Sequence, residues 1–204
     1  MGIKASIFAA LLITGPVWAE PTYHRVTGVA ADDTLNIRSA PSAEAEDIGD
    51  LAFDARAIEV ITWDETGDWA QIALNERDGW VAARFLEDDD VPMFSDSGIP
   101  KGLVCGGTEP FWALGLYDVD ARFSHPEDGE FDMTLSTVQV AEGRMGHPAF
   151  FDLAAPGGQA SVVIQADICS DGMSDRSYGW AAFIRMVTPG TERFLSGCCH
   201  LPRD

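Results

Sequence analysis

The first half of this chain has no cysteine, and positive charge is scarce throughout. The 204 residues hold 13 Lys and Arg against 33 Asp and Glu, a formal net charge of −20. Such a surface repels nucleic-acid phosphates and anionic lipid, so nucleic acid is excluded as a partner and neutral or cationic partners are favoured. Catalytic signatures are missing as well. There is no Gly-x-Ser-x-Gly elbow, no His-Glu-x-x-His helix and no Gly-rich phosphate loop. No segment after residue 19 is apolar enough to cross a membrane, and the earlier run from Ala5 to Ile13 is too short to span a bilayer comfortably.

That early run reads as a leader instead. Lys4 gives a positive start, Ala5 to Ile13 is the apolar stretch, and Val17 and Ala19 satisfy the small-residue rule for a cut before Glu20. No Cys follows the cut, so the lipoprotein anchoring signal is missing. Residues 1–19 are predicted to be a signal peptide, and the mature protein is expected to be soluble, without a stable membrane anchor, and periplasmic or secreted.

All four cysteines, Cys105, Cys169, Cys198 and Cys199, lie in the second half. Their even number and the export signal predict disulfides. Four cysteines allow three connectivities. Cys198 and Cys199 are adjacent, so on a strand they point to opposite faces and take separate partners. Two connectivities then remain open. Zinc needs spaced ligand pairs, whereas Cys198, Cys199 and His200 are consecutive; no metal and no cofactor are predicted.

The most informative stretch runs from Leu35 to Leu86. Ile58, Val60 and Thr62 share one face of an extended chain, and Glu59, Ile61 and Trp63 the other. Ala70, Ile72 and Leu74 repeat the pattern against Trp69, Gln71 and Ala73. A period of two over short apolar runs marks strands. The intervening Asp64–Asp68 and Asn75–Gly79 suit antiparallel hairpins, and Pro41 should stop the first strand near Ser39. About five short strands in some 55 residues bury a core best by closing the sheet on itself.

Leu35-Asn36-Ile37-Arg38-Ser39-Ala40-Pro41, Ile48-Gly49, Ile58-Glu59-Val60, Gly67-Asp68-Trp69, Gly79-Trp80-Val81 and Phe85-Leu86, in that order, resemble the bacterial SH3 (SH3b) domain over about residues 23–87. Ala40 departs from the Gly usual there. The resemblance implies a small SH3-like barrel, taken as residues 20–89, that binds peptidoglycan or a peptide. Trp63 and Trp69 fall on the parity opposite the aliphatic core, and a hairpin would set them side by side as a floor for a peptide or sugar. Asn36 and Arg38 border the first long loop, where binding residues concentrate. These four are the candidate ligand-binding residues. Trp80, after a turn Gly, is expected inside.

Residues 90–102 carry Asp90, Pro92, Ser95, Asp96, Ser97, Gly98, Pro100 and Gly102, and read as an exposed linker. From 103 to 204 short apolar runs alternate with Gly and Pro: Phe131, Met133 and Leu135, then Val138 and Val140, then Ser161–Ile164, Trp180–Met186 and Phe194-Leu195. No segment there sustains a 3.6 period. A single antiparallel β-barrel or sandwich is predicted, making the whole protein all-β.

Gly107-Thr108-Glu109-Pro110-Phe111-Trp112, Cys169-Ser170-Asp171-Gly172-Met173-Ser174-Asp175 and Ser196-Gly197-Cys198 resemble a family of uncharacterised exported or membrane-associated proteins of Gram-negative bacteria. The two recurring cysteines of that family imply a Cys169–Cys198 pair, which leaves Cys105 with Cys199. It has no assigned reaction and so implies no catalytic residues.

Asp167, Asp171 and Asp175 recur every four residues but lack the Asp-x-Asp-x-Asp-Gly order of a calcium loop; a turn whose carboxylates accept backbone N–H bonds is expected. His24, His125, His147 and His200 are scattered and are expected at the surface. Bacterial SH3 modules often accompany cell-wall hydrolases with a Cys–His pair. Such a nucleophile must be a reduced thiolate beside an imidazole, and here each Cys has a disulfide partner. The sequence therefore predicts a non-enzymatic exported binding protein whose second domain offers a surface to a possible protein partner. A cell-wall-modifying enzyme, or an envelope inhibitor or stress protein that binds another protein, is the alternative.

Overall fold

The computed structural model describes residues 20–203, so the leader pattern of residues 1–19 lies outside the described residues. The described chain is almost entirely strand. The first seven strands are β1 (Thr22–Val26), β2 (Thr34–Arg38), β3 (Asp47–Ala52), β4 (Ile58–Trp63), β5 (Trp69–Leu74), β6 (Arg77–Ala82) and β7 (Leu86–Asp88), with a 3-10 turn at Ala83–Phe85. They form one SH3-like antiparallel sheet in the order β3-β2-β6-β5-β4-β1-β7, with β3 and β7 at its edges. The sheet wraps a core of Val26, Leu35, Ile37, Leu51, Ile58, Val60, Ala70, Ile72 and Val81. These are the alternate positions that strand parity assigns to one face.

Two expectations within this sheet need correction. Trp80 is only half-buried on the outer face, paired with Gln71, because Gly79 takes the inward position on β6. A side chain there would collide with Ile37, so the strand must present a glycine. On β4 a bulge between Val60 and Thr62 shifts the register, and Trp63 pairs with Ala70. Trp63 therefore leaves the face that carries Trp69.

The segment 90–102 is not an exposed linker. Val91, Phe94, Ser97 and Ile99 are buried. The Phe94 N–H donates to the Ile99 carbonyl at 2.9 Å and the Ile99 N–H to the Ser97 hydroxyl at 3.1 Å. Phe94 meets Phe151 edge to face at 5.3 Å, so the loop packs into the core of the second domain. Its polar residues occupy the turns, and its two large apolar residues supply the buried anchors.

The second domain is a closed eight-stranded barrel of β8 (Leu103–Thr108), β9 (Phe111–Leu116), β10 (Asp120–His125), β11 (Gly129–Val140), β12 (Ala149–Ala155), β13 (Gly158–Ser170), β14 (Ser177–Thr188) and β15 (Thr191–His200). Its order is β10-β11-β12-β13-β14-β15-β8-β9, which leaves no edge. Inward residues such as Phe123, Phe151, Leu153, Ile164, Trp180 and Ile184 fill the interior. A bulge between Leu135 and Thr137 accounts for the change of parity from Met133 and Leu135 to Val138 and Val140.

Both disulfides form as Cys105–Cys199 and Cys169–Cys198. Cys105 and Cys199 face each other across β8 and β15 inside the barrel core, while Cys198 points outward to Cys169 on β13. Alternation along β15 separates the two adjacent cysteines.

The two domains pack directly, β4 against β14. The Trp180 indole N–H donates to the Tyr23 hydroxyl at 2.9 Å in a buried setting. Asp78 accepts the Ser177 N–H at 2.8 Å and the Ser177 hydroxyl at 2.6 Å. Glu59 accepts the Leu201 N–H at 2.8 Å, and Arg203 donates to the Ala73 carbonyl at 2.8 Å.

Candidate functional site

A hollow on the SH3-like domain lies beside β2, between the loop that precedes it and the end of β6. Its volume is about 410 Å³, and its walls include Asn36, Arg38, Trp69, Arg84 and Phe85. A second shallow hollow continues from it past Pro41 and Asp68 and shares Trp69 and Arg84. Trp69 is half-buried, so one part of its ring packs on the domain and the rest lines the groove. Its position is fixed locally: the Trp69 N–H donates to the Asp64 carboxylate at 2.8 Å, and that carboxylate also accepts the Thr66 hydroxyl at 2.6 Å. Those bonds, led by the Thr66 hydroxyl, hold Asp64 below the usual carboxylate range.

Asn36 and Arg38 sit on alternate positions of β2 and share a partner on β3. The Asn36 amide donates to Asp47, and the Arg38 guanidinium lies 3.8 Å from the same carboxylate while donating to the Ala45 carbonyl at 3.2 Å. Asp47 thus orients both side chains. Arg84 is exposed, with its guanidinium 4.5 Å above the Phe85 ring, an arrangement that pre-places a cation on the rim. Sequence reading missed Arg84 and Phe85. The 3-10 turn that carries them has no signal beyond a strand end, and only the folded chain brings residues 84 and 85 against residues 36 and 38.

Of the four candidate residues, Asn36, Arg38 and Trp69 line one groove; Trp63 does not. Trp63 is 38% exposed and meets the His24 ring edge-on at 5.3 Å. His24 is itself buried under it rather than on the surface, with its Nε2 2.9 Å from the Thr22 hydroxyl, and burial lowers its pKa. His125 is likewise buried, where its Nδ1 accepts the Glu127 N–H at 3.2 Å. Both histidines fall on strands whose parity turns them inward or under an aromatic ring, a placement that their scattered sequence positions do not reveal.

The acidic repeat resolves into a turn at its central member. Asp171 accepts the N–H groups of Met173 and Ser174 at 3.0 and 2.9 Å, and the Tyr178 hydroxyl at 3.1 Å. Burial would raise its pKa, but these donors outweigh it and hold the carboxyl at about 2. Cys169 and Cys198, beside this turn, are joined to each other and carry no free thiol.

No curated protein and no solved structure matches the chain. The resemblance read from the Cys169–Asp175 segment therefore has no support from these comparisons. The family model described as the bacterial SH3 domain matches residues 33–87, the span that holds Asn36, Arg38, Trp69, Arg84 and Phe85. Residues 33–87 are a bacterial SH3 domain.

Proposed function

We propose that this is an exported binding protein, periplasmic or secreted, whose bacterial SH3 domain engages peptidoglycan or a peptide in the Trp69 groove. The observation that carries the reading is the convergence of an indole, two guanidinium groups and an amide on one groove of a domain of this family. An aromatic wall gives a sugar ring or an extended peptide apolar contact, and Arg38 and Arg84 suit the carboxylates of a peptide stem. Trp63, set apart on His24, has no part in the groove.

The second barrel is read as a non-catalytic partner domain. Its interior is filled by side chains, and its four cysteines are consumed in two disulfides, so no thiolate nucleophile is on hand. NMR of the full chain with soluble peptidoglycan fragments tests the proposal. The Trp69 indole N–H should shift saturably while that of Trp63 stays in place. No shift at Trp69 over the titration would refute it.

A further inference from the structure

Where the two domains meet, a cleft of about 230 Å³ is walled by Glu59 and Asn75 from the SH3 side and by Arg176, His200, Leu201 and Arg203 from the barrel side. It is distinct from the Trp69 groove and shares no residue with it.

Its two arginines stand outside the ion pairs that take up six others. Arg25, Arg38, Arg56, Arg122, Arg185 and Arg193 each face a carboxylate. Among the described residues Arg176 and Arg203 do not, nor do Arg77, Arg84 and Arg144, but only Arg176 and Arg203 line this cleft. The Arg176 Nε–H is enclosed with no hydrogen-bond partner, and its guanidinium is held 4.5 Å over the Tyr178 ring. The hydrogen bond that Arg203 makes is to the Ala73 carbonyl. Two guanidinium groups therefore converge on one cleft with most of their donors unclaimed by the described residues, in a protein that carries 33 acidic residues. An unpaired buried donor costs free energy until a ligand satisfies it.

Among the described residues Glu59 is the one acid in the wall; it attracts both arginines through space but forms no ion pair with either. Its carboxylate turns to the backbone, accepting the Leu201 N–H at 2.8 Å. Burial pushes its pKa up to about 7, which leaves it half-neutral near neutrality. His200 is held neutral, at about 4, by burial and by the two arginines. The cleft's formal charge is therefore positive.

We propose that this inter-domain cleft binds a carboxylate, supplied by a small organic acid or by the C-terminal end of a short peptide. The planar guanidinium fork matches a carboxylate edge, and Asn75 offers an amide beside it. The cleft is smaller than the roughly 300–1,000 Å³ of sites for drug-sized ligands, so it takes an end group and not a long chain.

The test is NMR of the ¹⁵N-labelled full chain, following the Arg176 Nε–H and Leu201 N–H signals. Three probes are added in turn: succinate, N-acetyl-alanyl-alanine with a free carboxylate, and the same dipeptide as its C-terminal amide. Saturable shifts with the free-acid dipeptide alone assign a peptide end, and shifts with succinate assign a small organic acid. Arg176→Gln or Arg203→Gln should weaken binding about tenfold to a hundredfold. Trp69→Ala should leave the curve unchanged, which keeps this result separate from that of the SH3 groove. The proposal is overturned if neither acid gives a saturable shift in the wild-type chain, or if the amide shifts the same signals equally.

Discussion

The Tyr23 hydroxyl on β1 accepts a hydrogen bond from the Trp180 indole on β14 at 2.9 Å, joining residues 157 positions apart across the domain boundary. Trp180 is fully buried and Tyr23 nearly so, and burial pushes the phenol far above its ordinary pKa. Tyr23→Phe removes the acceptor and strands the indole N–H in an apolar setting. We expect a loss of about 1–3 kcal/mol, read as a lower urea midpoint with unchanged slope.

Glu59 ties the same junction to pH. Burial outweighs the Leu201 N–H bond and lifts its folded-state pKa from an ordinary 4.5 to about 7. An acid with a raised folded value holds more protons when folded than when unfolded. Its contribution to stability therefore falls as pH rises from about 4.5 to about 7, by at most about 3 kcal/mol. Burial lowers the pKa of His200 and His24, a contribution of opposite sign over the same window, so the readout is a difference: the melting temperature of Glu59→Gln minus that of the wild type should rise between pH 4.5 and about 7. A difference that stays flat or falls through the window would contradict the buried carboxyl.

The interface is also tight in steric terms. A Cβ at Gly179 would fall on the Pro21 ring and near Glu59. Gly179→Ala should push β1 away from β14 and cost about 1–3 kcal/mol, seen as a lowered thermal midpoint beside an unperturbed set of core amide signals within each domain.

The disulfides close loops of different length. Cys105–Cys199 spans 94 residues and Cys169–Cys198 spans 29. Chain entropy assigns about 4–5 kcal/mol to the first and about 3–4 kcal/mol to the second. Cys105→Ala with Cys199→Ala should therefore destabilise more than Cys169→Ala with Cys198→Ala, in denaturant titrations of the two double variants. The first pair also leaves a gap in the barrel core, which adds to the difference.

Much of this was legible in the alternation of residues. The parity of Ile58, Val60, Ala70 and Ile72 marks the SH3 core, and the adjacency of Cys198 and Cys199 forces their side chains apart. What escaped depends on single-residue events or on distant partners. A bulge at Val60–Thr62 moves Trp63 off the Trp69 face, and no local residue type announces it. Gly79 looks like a turn residue but fills a core position against Ile37. Phe94 and Ile99 are two apolar residues in a polar segment, and the barrel that receives them is built from strands far along the chain. Glu59 and Ile61 stand on the second face of β4, yet nothing nearby names β14 as their cover.

Co-sedimentation with purified peptidoglycan tests the Trp69 groove most directly. The wild-type chain and Trp63→Ala should pellet with the wall, whereas Trp69→Ala and Arg38→Ala should remain in solution. Retention of Trp69→Ala in the pellet, or loss of Trp63→Ala from it, would place the binding surface elsewhere.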